Sequence, residues 1–255
     1  MKMLLRITAL LLLYVSYLEG RDMMIIAHRG ASRLEPENTM RAFKKAIALG
    51  ADMIEFDVHE CASGEIVILH DDTLERTTDG YGLVGKTTLV GLERLDAGKG
   101  EHIPTLEKVL ESFKGKIKLN IELKGRHTGE PVADLLHEYI YHHRWPVSDI
   151  VVTSFLHDEL LKLHKIMPVV QLGALFDIGD VIEYDPTIFK YIVLPHEVLT
   201  RELVHQAHEK KVKVFTYTVN EPEDIRRVIQ CGVDGIISDC PDKVKSIIFE
   251  NVHKE

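Results

Sequence analysis

Glu55 and Asp57 stand one residue apart in an apolar stretch, MIEFDV. On a strand both point to one face, and Ile54, Phe56 and Val58 point to the other. Two carboxylates on a shared face repel, and burying both is costly unless a cation or a proton intervenes. Oxygen-only donors of this kind suit one divalent cation, Mg²⁺ or Ca²⁺, with Mn²⁺ also acceptable. The plainer alternative is an edge strand with a solvated acidic face. A third carboxylate, Glu122, lies near the end of another apolar stretch, KLNIELK, and shares a face with Lys124. It completes a metal set, and the ammonium one step along suits a phosphate oxygen.

A turn brings His70 to this group. Ser63-Gly64 is a hairpin-type signal between two apolar runs. A two-residue loop at 63–64 places Asp57 opposite His70, and a four-residue loop at 61–64 places Glu55 opposite it. A parallel strand could not follow so soon, because parallel crossovers need about a dozen residues or more. Residues 66–70 are therefore expected to be the antiparallel return arm of a hairpin.

The remaining elements follow from periodicity and punctuation. A short apolar strand at 24–27 delivers His28-Arg29-Gly30. Pro36-Glu37-Asn38-Thr39 starts a helix, with Asn38 or Thr39 as its N-cap, and Gly50 closes it. Residues 73–104 carry six glycines and no long periodic element. They read as a small inserted loop subdomain, of the kind that often covers an active site. After Thr105, strands and helices alternate. Helices are expected at 106–113, 131–143, from 157, after 176 and at 200–209, and a further one runs from Pro222 to Gly232. Without the return arm, parallel strands begin near 24, 53, 118, 150, 169, 191, 212 and 235. Eight strands, most followed by a helix, predict an α/β fold, the (β/α)8 TIM-type barrel, with a β-hairpin after strand 2. Active sites of such barrels lie at the C-terminal strand ends. His28, Arg29, Glu55, Asp57, Glu122 and Lys124 all fall there, as does His196. The other histidines fit solvated helix faces.

Composition narrows the class. The 255 residues are 45% hydrophobic with net charge −9, enough for one domain over 23–255. The acidic balance argues against nucleic acid and against a stable anionic-membrane partner. Three cysteines, at 61, 231 and 240, form no disulfide framework and no zinc spacing. Residues 1–22 have two readings. Lys2 and Arg6 beside a short apolar run resemble a secretory signal, although no A-x-A cleavage site appears. The other reading is a translation start at Met23 or Met24. The first implies a secreted or membrane-associated protein, the second a cytoplasmic one.

The ordered motifs HRG, PENT, E-x-D-V, HDDTLERTT, IPTLEKVL, IELK, TVNEPED and GVDGIISDCP resemble the glycerophosphodiester phosphodiesterase family, most closely its compact bacterial-type members. The resemblance spans about residues 24–243. It implies a distorted barrel that binds a divalent metal through Glu55, Asp57 and Glu122. It also implies an acid–base pair of His28 and His70, and phosphate binding by Arg29 and Lys124. Tyr217 stands where the family often has Trp, so an aromatic substrate wall is kept. The implied reaction converts glycerophosphodiesters to sn-glycerol 3-phosphate and an alcohol. A lysophospholipase D-like activity would need an apolar groove, for which residues 81–92 are candidates. A non-catalytic phosphodiester-binding barrel would be expected to lack one of these histidines or carboxylates, and none is missing.

Overall fold

The structure is a computed structural model that describes residues 23–252. Its strands alternate side chains between two apolar layers, and that alternation builds the architecture. Strand β1 (Met24–Ala27) shows the pattern: Ile26 joins an inner cluster with Met53, Val151, Val193 and Phe215, while Ile25 and Ala27 join the outer one. The other strands are β2 (Met53–Glu60), β3 (Ile66–Ile68), β4 (Lys118–Leu123), β5 (Ile150–Ser154), β6 (Gln171–Leu175), β7 (Phe189–Pro195), β8 (Lys213–Tyr217) and β9 (Gly235–Ser238). All but β3 pair in parallel, in the order β1-β9-β8-β7-β6-β5-β4-β2, and β1 pairs with β2 to close the ring. The eight-stranded barrel is as expected.

Helices fill the outer layer. Helix α1 (Met40–Leu49) is capped by Thr39, whose hydroxyl accepts from the amide of Ala42, and it ends at Gly50 in the left-handed region. Helices α2 (Leu106–Phe113), α3 (Gly129–His137), α4 (His157–Ile166), α5 (Arg201–Glu209), α6 (Pro222–Cys231) and α7 (Pro241–Val252) follow. The short helix expected after residue 176 is absent. Asp180 and Asp185 accept from nearby backbone amides there, and Gly179 has φ +93°, so side chains satisfy a non-helical backbone. The N-terminal segment 1–22 lies outside the described residues.

The hairpin forms, with a register that neither expected loop gives. Val58 faces Ile68, His59 faces Val67 and Glu60 faces Ile66. The amide of Cys61 bonds the carbonyl of Glu65, and the amide of Gly64 bonds the carbonyl of Cys61. The loop is thus three residues, 62–64, with Gly64 at φ +98°. A tight turn followed by a positive-φ glycine is the usual three-residue solution. Its odd length sets Asp57 beside Leu69, whose amide bonds the carbonyl of Asp57. His70 lies one residue past the paired arm, so it is not opposite Asp57 or Glu55.

The eight residues of β2 give it room for two partners on one edge. Met53 and Ile54 pair with β1, and the last three residues pair with β3. The inserted segment after β3 has its own small core, in which Leu74, Val84, Leu92, Ala97 and Ile103 pack on Val67 and Leu69.

Candidate active site

Three strand ends meet at the site. Asp57 and Glu122 are register neighbours on β2 and β4, and Glu55 sits two residues earlier on β2. All three are buried, and each offers an oxygen within 4.8 Å of the others. Burial and mutual repulsion push the Glu55 and Glu122 carboxyls above their ordinary range. Oε1 of Glu55 and Oδ1 of Asp57 are buried with no hydrogen-bond partner, as is Oδ1 of Asn38. Buried oxygens of this kind normally have partners. The all-oxygen donor set therefore fits a hard divalent cation.

Two cations border the carboxylates. Lys124 donates to Oε1 of Glu122 at 2.7 Å and lies 3.8 Å from Oδ1 of Asp57. Arg29 donates its backbone amide to Glu55 at 2.9 Å and its Nη1 to Glu37 at 2.9 Å, and its Nε lies 3.4 Å from Asp57. The turn that aims Arg29 depends on glycine. Gly30 has φ +81°, and a Cβ there would stand 2.7 Å from the backbone of Ala42.

Each histidine is tied through Nδ1, which leaves Nε2 for a substrate. His28 Nδ1 lies 2.6 Å from Asp239, which also accepts from Ser32 and Asn220. His70 Nδ1 lies 2.6 Å from Asp71, and its carbonyl accepts from His59 Nε2 at 3.1 Å. Burial lowers the pKa of His70, more than the charge of Asp57 and the bond to Asp71 raise it. His28, Arg29, Glu55, His70, Glu122, Lys124 and Tyr217 all line one pocket of about 310 Å³. Asp57 sits beneath it as the partner of Asn38. Tyr217 gives its hydroxyl to the carbonyl of Phe176 and packs edge-on against Phe155. It therefore presents a ring to the pocket, not a hydroxyl.

His196 is not brought in. It is held by Arg227 on α6 and does not line the pocket. Several contributors escaped the sequence reading. Of the two expected caps, Asn38 and Thr39, it is Thr39 that caps the helix. Asn38, at φ +58°, instead donates to Asp57 at 2.9 Å, and Glu37 bonds Arg29 and Arg76. Asp239 follows the last residue of β9, a position that could have flagged it. His59 and Arg76 carried no signal of their own.

The model of the glycerophosphoryl diester phosphodiesterase family matches residues 28–243. The chain belongs to that family. Membership makes it an enzyme of the phosphoric diester hydrolase class. It is 36% identical over 247 residues to a glycerophosphodiester phosphodiesterase of Caldanaerobacter subterraneus, covering 88% of this chain and 97% of the relative. It is 35% identical to the glycerophosphodiester phosphodiesterase of Bacillus altitudinis over 243 residues, 88% of this chain and 97% of that one. Among solved structures it resembles an Oleispira antarctica phosphodiesterase in complex with the product sn-glycerol-3-phosphate. The TM-score is 0.81 and the identity 30%, covering 88% and 96% of the two chains. No helix among the described residues is long and apolar enough to cross a membrane.

Proposed function

We propose that this protein hydrolyses glycerophosphodiesters to sn-glycerol 3-phosphate and an alcohol, with a bound divalent cation. The observation that carries this reading is the pairing of two Nδ1-anchored histidines with a buried carboxylate triad at one pocket. The Oleispira relative, which holds sn-glycerol-3-phosphate, supports the product.

Glu55, Asp57 and Glu122 would hold the cation, which supplies charge neutralisation at the phosphoryl oxygens. Arg29 and Lys124 bind and orient the same anion. Both are kept protonated: nearby carboxylates raise their pKa values against the lowering effect of burial. His70, biased toward its neutral form, takes the proton of the attacking hydroxyl through Nε2. His28 gives a proton through Nε2 to the departing alkoxide. Assistance of this kind contributes about 10²–10⁴-fold. The attacking hydroxyl belongs to water, or to the neighbouring glycerol carbon with water then opening the cyclic phosphate so formed, and ³¹P NMR detection of that cyclic phosphate distinguishes the two. Tyr217 and Phe155 form the wall that the departing alcohol passes.

A lipid-like substrate ranks second. Tyr81, Leu83 and Val90 are exposed on the inserted segment, but none of them lines the pocket. None of these groups lies before Met24, and a chain starting at Met24 is expected to keep its turnover. The test is to incubate purified protein with glycerophosphocholine or glycerophosphoethanolamine, with and without chelator, and assay glycerol 3-phosphate. Release from neither substrate sinks the reading.

A further inference from the structure

A second, larger cavity of about 540 Å³ adjoins the first, and Phe155 lines both. One face of α4 and the loop after β4 form its walls, through Arg126, His127, His157, Asp158, Lys162 and Lys165. Its lining carries three cationic side chains in a chain of net charge −9. Arg126, Lys162 and Lys165 share the cavity wall with Asp158 and Glu159, and Glu130 just outside it also acts on Lys162. Glu159 is buried and already engaged by Lys162 at 2.8 Å and by the amide of Gly129 at 3.0 Å. Burial alone would raise its pKa, but these bonds outweigh that and keep it ionised. Among the described residues, Arg126 and Lys165 take part in no ion pair. The floor is fixed, because His157 bonds the carbonyl of Leu175 at 2.9 Å and packs edge-on against Phe176.

The inner pocket has no cation to spare for a second anion. Lys124 already serves Glu122 and Asp57, and Arg29 serves Glu37 and Asp57. A second anionic group on a substrate needs a second set of cations, and the adjoining cavity supplies one. We propose that this cavity is a leaving-group subsite, and that the preferred glycerophosphodiesters are those whose departing alcohol itself carries a phosphoryl group. The proposal rests on the phosphodiesterase reading and adds its substrate class. The reaction is unchanged: the phosphorus–oxygen bond to the alcohol breaks, and the alcohol leaves with its own phosphate intact.

The test compares kcat/KM for glycerophosphoglycerol with that for glycerophosphoglycerol bearing a terminal phosphomonoester. The phosphorylated substrate should lead by about tenfold, mostly through KM, since each exposed ion pair contributes modestly. Raising salt from about 50 to 500 mM should erode the lead, because exposed pairs are screened. Arg126→Glu with Lys165→Glu should abolish it while leaving glycerophosphoglycerol turnover unchanged, which also certifies the fold. Arg126→Gln alone should reduce it, and Asp158→Asn should increase it. Equal kcat/KM for the two substrates in the native protein, or a lead that survives both charge reversals, overturns the subsite. If neither substrate is turned over, the phosphodiesterase reading falls and takes the subsite with it. Turnover without preference removes the subsite alone.

Discussion

Arg76 grips Asp71 with two hydrogen bonds, of 2.6 and 3.0 Å, and Asp71 in turn holds Nδ1 of His70. The same guanidinium gives two bonds of 2.9 Å to Glu37, which binds Arg29. One residue of the inserted segment therefore braces both the candidate base and a candidate phosphate ligand. The hydrogen bonds from Arg76, opposed by burial and joined by the His70 bond, hold the Asp71 carboxyl well below the usual range. Asp71 thus stays a fixed acceptor for His70.

Replacing Arg76 should therefore affect geometry more than stability. Arg76→Ala is expected to lower kcat about 10- to 100-fold, the loss typical of partners one step behind a reacting group. KM should change little. Arg76→Lys should recover only part of the rate, since one ammonium cannot reproduce two forked pairs. The side chain is 46% exposed, so thermal melting should move little. A large drop in Tm with normal kcat would show that Arg76 is only a strut for the insertion.

The carboxylate triad gives a pH signature that needs no activity assay. The folded pKa values of Glu55 and Glu122 lie above their unfolded values, raised by burial and then by repulsion. Without metal, that contribution to stability is complete below the ordinary glutamate range and is lost as pH rises through the raised values. A bound cation removes the repulsion and competes with protons. The Tm gain from added Mg²⁺, Mn²⁺ or Ca²⁺ should therefore grow from pH 5 to pH 8. Glu55→Gln with Glu122→Gln should flatten that trend, and chelator should abolish turnover in the native protein. A gain that is the same at both pH values in the native protein argues against the triad as the site.

The parts of this molecule legible in its sequence are those set by local periodicity. Glu55 and Asp57 share a face because a strand has period two, and counting strands after removing the hairpin arm gave the barrel. The hairpin register was not legible. It depends on whether Gly64 closes a loop of two, three or four residues, and a change of one residue exchanges the two faces. Glu37 and Asn38 were hidden for a related reason. Their local sequence supports a capping role, and only Arg29 and Asp57, brought near by the fold, give them another. Asp239 lies 211 positions from His28 along the chain, and only closure of β9 onto β1 brings them together.

That closure yields an acid-stability prediction. Burial pushes the Asp239 carboxyl up, but hydrogen bonds with His28, Asn220 and Ser32, with the charge of His28, outweigh it and hold it at about 2. A depressed carboxylate stabilises the fold above its unfolded pKa, near 3.8, and the contribution is lost as pH falls through the folded value. Denaturant unfolding between pH 4.5 and pH 2 should therefore show Asp239→Asn losing less stability than the native chain, by about 1–2 kcal/mol. Parallel curves over that range would remove the argument. In turnover, Asp239→Asn should lower kcat while KM holds, because His28 loses the charge that fixes its ring.

The two histidines themselves give the sharpest kinetic expectation. Each has its Nδ1 occupied by a carboxylate at 2.6 Å, and each lines the pocket that holds Lys124 and Glu122. In the proposed mechanism their proton transfers count in the transition state and little in ground-state binding. His70→Ala and His28→Ala should each lower kcat by about 10²–10⁴-fold with KM nearly unchanged. Groups that act as a unit are non-additive, so the double variant should fall short of the product of the two losses. Asp57→Ala should behave differently: raised metal should partly restore it, because its loss weakens metal retention rather than proton transfer. The two histidine variants should also separate by substrate. A leaving group that departs without a proton, such as p-nitrophenolate in a glycerophosphoryl aryl diester, should largely rescue His28→Ala and leave His70→Ala slow. Rescue of His70→Ala instead would exchange the acid and base roles, and rescue of neither would remove leaving-group protonation from both.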